Sequence, residues 1–104
     1  NVLVTTGFLT EKFAKTELLP FVMFIENNEF WQAQIEQIHI EKDGNLLLTP
    51  LVGNHIIEFG DIRNYETKLK KMKAFYDQVL ANNNWNKYKT VSLKYNNQVI
   101  AKRR

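Results

Sequence analysis

Two histidines, His39 and His55, are the first residues of this chain whose type invites chemistry. On neighbouring strands they could face each other and hold a metal, since imidazole nitrogen is a common ligand for zinc and copper. A closed site needs further donors, and the chain has no cysteine and no carboxylate at ligand spacing from either histidine. Ordinary strand histidines are the stronger reading. Glu58 and Asp61 are close in sequence, but one reads as a solvated strand residue and the other as a helix cap, not as an acid–base pair. Ser92 is the lone serine and sits in no nucleophile-elbow setting. None of the glycines, Gly7, Gly44, Gly53 and Gly60, opens a phosphate-binding loop ahead of a lysine. The residues assemble no catalytic or cofactor site, and the expectation is a protein that is not an enzyme.

Basic residues offer a second kind of chemistry. The net charge is +3, and Lys68, Lys70, Lys71 and Lys73 form a run. A mildly basic balance suits nucleic acid, and Tyr88 and Tyr95 flanked by Lys87, Lys89 and Lys94 loosely resemble the aromatic platforms of sheet-type RNA binders. The glycine-aromatic signature of that class is missing. A solvated helix face is the simpler reading of the lysine run.

The end of the chain, Gln98-Val99-Ile100-Ala101-Lys102-Arg103-Arg104, is half apolar and closes on three cations. Cations protect an exposed sheet edge from indiscriminate pairing. The same arrangement can accept one chosen strand, with backbone hydrogen bonds for affinity and charge for selectivity. A terminal strand with a solubilising tail and a partner-binding edge are both open on pattern alone.

The elements that would position these residues centre on one amphipathic helix over 62–80. Ile62, Tyr65, Leu69, Met72, Tyr76 and Val79 recur at three- and four-residue steps, widened by Phe75 and Leu80. Asp61 or Asn64 can cap its start, and Asn82, Asn83 and Asn84 can end it. An earlier helical pattern over 11–32 carries Phe13, Leu18, Phe21, Phe24 and Ile25, with Pro20 inside it; either a helix starts near Glu17 and keeps Pro20 in its first turn, the preferred reading, or two short helices meet there. Phe30 and Trp31 are expected to pack back on the core. Strands are expected over 34–42 (with a bulge near Glu36 or Gln37), 46–51, 55–59, 88–95 and 98–103, joined by turns at Asp43-Gly44 and Asn96-Asn97. Trp85 is expected to cap the core. Residues 1–10 read as an extended lead-in with a turn at Gly7. The fold class is therefore α+β, a mainly antiparallel sheet with two helices packed on one face. At 104 residues the chain is one domain's worth. It opens on Asn1 rather than methionine, which reads as an excised domain or a processed chain.

The run Val91-Ser92-Leu93-Lys94-Tyr95-Asn96-Asn97-Gln98-Val99-Ile100-Ala101-Lys102-Arg103 resembles the C-terminal strand pair of the FtsQ/DivIB bacterial cell-division family. The similarity extends upstream through Asn54 to Gly60, Tyr65 to Leu80, Gln34 to Thr49 and Val4-Thr5-Thr6-Gly7, so it covers nearly the whole chain. Ser92 stands where an aspartate is frequent, Gln98 where a turn glycine is common, and Arg103 where a terminal aromatic is frequent. The resemblance implies a β domain over 11–104, preceded in the full protein by a POTRA-like domain and an inner-membrane helix, and placed on the periplasmic side. It implies a non-enzymatic divisome scaffold that uses no cofactor and binds FtsB/FtsL-like partners at its C-terminal edge strand. The contact residues it implies are Lys94, Tyr95, Asn97, Gln98, Val99, Ile100, Ala101, Lys102 and Arg103, with Tyr95 and Ile100 supplying apolar contacts and the cations favouring an acidic segment.

Overall fold

The computed structural model describes residues 3–51, 53–81, 87–95 and 98–104. Six strands form one sheet in sequence order: β1 (Val4–Gly7), β2 (Ile35–Ile40), β3 (Leu46–Pro50), β4 (Ile56–Gly60), β5 (Tyr88–Ser92) and β6 (Ile100–Arg103). The class is the expected α+β, but the sheet is mixed. β2–β3, β3–β4 and β5–β6 pair antiparallel, while β1–β2 and β4–β5 pair parallel. Each parallel pair is separated in sequence by helical chain, which supplies the length such a crossover needs. Val4–Gly7, expected as a lead-in, is an edge strand of the sheet. At its end Gly7 takes φ +103°, and a Cβ there would lie 2.2 Å from the Ile40 carbonyl oxygen.

Pro20 lies in the first turn of an α-helix, as expected, but helical chain also runs ahead of it from Glu11. Thr10 caps α1 (Glu11–Phe13) by accepting from the Phe13 N–H at 3.2 Å. A π-helical turn, Ala14–Leu18, leads into α2 (Leu19–Glu26). In this turn the Leu19 N–H donates to the Ala14 carbonyl, five residues back. Proline lacks an amide donor and crowds the carbonyl four residues before it. A widened turn relieves that crowding, so the helix continues where an α-helical register would break. After Asn28, whose side chain accepts from the Trp31 N–H at 3.1 Å, α3 (Glu29–Gln34) feeds directly into β2.

The long helix, α4, spans Tyr65–Ala81, starting one turn later than the hydrophobic pattern. Asp61 accepts from the Arg63 N–H at 3.0 Å and so shapes the turn before the helix. Asn64, at φ 57°, provides the carbonyl that takes the Lys68 N–H. Helices cover one face of the sheet. Phe21 and Ile25 of α2, Trp31 of α3, and Leu69, Met72 and Tyr76 of α4 share a buried cluster with Ile38, Ile40, Leu46, Leu48, Ile57 and Phe59. The other face carries exposed Thr6, His39 and Ile56. Burial alternates along the strand expected at 55–59: His55, Ile57 and Phe59 are buried, with Ile56 exposed. The expected bulge is present between Ile35 and Gln37. Gly44 takes φ +88° in the hairpin turn, where the Asp43 carboxylate accepts from the Asn45 N–H at 3.0 Å. The expected roles of Trp85, of Asn82 to Asn84 and of the Asn96-Asn97 turn lie outside the described residues.

Candidate functional site: the C-terminal sheet edge

β6 ends the sheet and pairs with β5 alone, with Ser92 opposite Ile100, Val91 opposite Ala101 and Thr90 opposite Lys102. The direction of its backbone groups follows from one bond. The Arg104 N–H donates to the Lys87 carbonyl at 3.1 Å, so residue 104 faces inward. Amide and carbonyl directions alternate along a strand. Ile100 and Lys102 therefore face β5, and the backbone groups of Ala101 and Arg103 face away from the sheet. These two residues form an open row of backbone donors and acceptors.

Side chains around this row are mixed. Lys102 and Arg103 are exposed and point to opposite faces by alternation. Ile100 is exposed and Tyr95 half exposed, at 36% and 51%. Lys94 and Gln98 are also exposed. Val99 is half-buried and packs against the core. Of the contact residues implied by the resemblance, Lys94, Tyr95 and Gln98 to Arg103 thus gather at one edge; Asn97 lies outside the described residues. A groove of about 340 Å³ flanks the start of β6, lined by Lys71, Ala74, Phe75 and Gln78 of α4 with Gln98 and Val99.

Lys70 and Lys73 are exposed, as a solvated face requires, while Lys68 and Lys71 turn to partners within the fold. Lys68 has a side-chain exposure of only 12%. Its ammonium donates to the Asp61 carbonyl at 2.6 Å and lies 5.2 Å from the centre of the Phe59 ring. Burial lowers its pKa, against the pull of the Asp61 carboxylate. Lys71 donates to the Tyr95 carbonyl at 2.8 Å, and Lys73 pairs with Asp77 at 3.1 Å. Three of the four cations thus make contacts within the fold. The sequence signal for Lys71 was its place on the helix; nothing local marked its partner, 24 residues away.

The histidines do not meet. β3 separates their strands, and His39 lies on the open face, 2.9 Å from the Thr6 hydroxyl. His55 is buried, with Nε2 2.7 Å from the Tyr76 hydroxyl. Among the described residues there is no group of three potential metal-ligating side chains. Burial, and then the Arg104 guanidinium, lower the His55 pKa, while burial pushes Tyr76 up and keeps it a phenol. A histidine whose folded pKa lies below its ordinary 6.5 stabilises fully above that value. Its contribution is lost as pH falls below 6.5 through the folded pKa, because the unfolded chain binds the proton first. Stability measured by urea unfolding is therefore expected to fall from pH 7 to 5, with a flatter profile in His55→Gln. Equal slopes would contradict the assignment.

The arrangement is an α+β domain whose last strand leaves an open edge flanked by cations. The chain belongs to the FtsQ/DivIB C-terminal related family, whose model matches residues 1–102. That is a family of membrane-associated, non-enzymatic cell-division scaffold proteins. No curated protein matches the chain. No helix among the described residues is long and apolar enough to cross a membrane.

Proposed function

We propose that this domain binds FtsB/FtsL-like division proteins by strand addition at β6, on the periplasmic side of the inner membrane. The observation that carries the reading is the outward row of backbone groups at Ala101 and Arg103 on an edge strand. An added strand takes its affinity from those backbone groups and its selectivity from what surrounds them. Tyr95 and Ile100 provide apolar area beside that row. Lys94, Lys102 and Arg103 favour an acidic partner segment and speed its encounter at low salt. The part of the protein ahead of this domain supplies a POTRA-like domain and the membrane helix. The helix lysines already engaged by Asp61, Tyr95 and Asp77 weaken the alternative of a phosphate-binding surface.

The test is calorimetric titration with the extracytoplasmic segments of the FtsB and FtsL proteins of the same organism. Tight one-to-one binding is expected. The double variant Lys102→Glu, Arg103→Glu is expected to bind roughly tenfold more weakly at low salt, with the difference shrinking as salt rises. An unchanged affinity contradicts the electrostatic part, and no binding by the parent domain contradicts the function.

A further inference from the structure

Lys71 reaches two points of the chain between β5 and β6. Its ammonium donates to the Tyr95 carbonyl at 2.8 Å and reaches the Gln98 carbonyl at 3.5 Å. These carbonyls stand on either side of residues 96 and 97, and β6 begins two residues after the second. The cation comes from the middle of α4, and the helix is anchored by buried Leu69, Met72 and Tyr76. Leu93 and Val99 pack at the two ends of the link, and Lys71 ties the stretch between them, where exposed Lys94, Tyr95 and Gln98 supply little packing of their own. A hydrogen bond from a charged donor is stronger than a neutral one, and here one ammonium serves two carbonyls.

We propose that Lys71 is a positioning residue for the edge: it holds the β5–β6 link so that β6 is registered on β5 with Ala101 and Arg103 turned outward before any partner arrives. The consequence for binding rests on the strand-addition reading above; the consequence for β6 in the free domain does not. An edge that is only partly formed binds with an affinity reduced by the fraction formed, and the loss falls on the association rate, since the bound state is the same.

The decisive comparison uses the intact domain with Lys71→Met, which keeps the packing length and removes the donor, and Lys71→Arg, which restores one. Amide exchange of Ile100 and Lys102, the inward-facing residues of β6, is followed by NMR. In Lys71→Met these amides are expected to exchange about tenfold faster, while Ile38 and Leu48 in the core stay at the parental rate and Lys71→Arg recovers most of the protection. The association rate for the partner segment is expected to drop severalfold in Lys71→Met with little change in dissociation. Parental exchange at Ile100 and Lys102 in Lys71→Met overturns the proposal. So does equal acceleration at Ile38 and Leu48, which marks a general loss of stability. If the parent domain binds no segment, the strand-addition reading fails and the exchange rates alone decide the role of Lys71.

Discussion

Phe21→Ala is expected to lower the unfolding free energy by about 3–5 kcal/mol, the range for removing a buried aromatic ring from a packed core. The ring is fully buried. It lies 5.3 Å from the Phe59 ring of β4 and 5.3 Å, edge-on, from the Tyr65 ring at the start of α4. One side chain therefore joins α2, the sheet and the long helix. These two neighbours belong to different elements, so relaxation at one leaves the void against the other. A domain of this size is stable by roughly 5–15 kcal/mol, and the substitution removes a large part of that. Urea unfolding followed by circular dichroism measures it. A loss under about 1 kcal/mol would mean that α2 does not dock where the three rings meet.

The second large effect concerns binding. Ala101→Pro is expected to weaken partner binding by about a hundredfold or more while the domain stays folded. Proline removes one amide donor and places its ring where that N–H pointed. At Ala101 that direction is outward, so the β5–β6 bonds are spared, and edge positions tolerate proline for this reason. Ile100→Pro differs in kind, because its amide faces β5; it is expected to cost stability first. Titration and thermal unfolding of both variants separate the two effects. Parental affinity in Ala101→Pro would move the contact away from the open row.

This distinction between neighbouring residues was not legible in the sequence. Alternation in 98–103 identifies a strand and its cationic end identifies an edge. Which amides face out depends on the bond between Arg104 and Lys87, a partner fixed only by the register of another strand. The same divide runs through the fold. Alternation at 55–59, the 3.6-residue period of the long helix and the Asp43-Gly44 turn all express local rules, and the structure follows them. The parallel placement of β1 and of β5 depends on crossovers that span a helix, so local pattern is silent on it. Pro20 takes its expected place in a first helical turn, but the helical chain joined ahead of it was not legible, because proline is read as a helix breaker; an expanded π turn admits the ring. Two lysines of the helix run misled similarly. A lysine is read as solvated by default, and the acceptors of Lys68 and Lys71 lie in segments that only the tertiary fold brings near.

The most direct measurement for the central claim is amide exchange at Ala101 and Arg103, free and with the FtsB/FtsL-like segment bound. Strand addition predicts that both amides, unprotected in the free domain, slow by at least a hundredfold in the complex. Exchange at Ile100 and Lys102, already bonded to β5, should change far less. A complex in which Ala101 and Arg103 exchange at their free rates, while protection appears along α4, would contradict strand addition and place the partner on the helix.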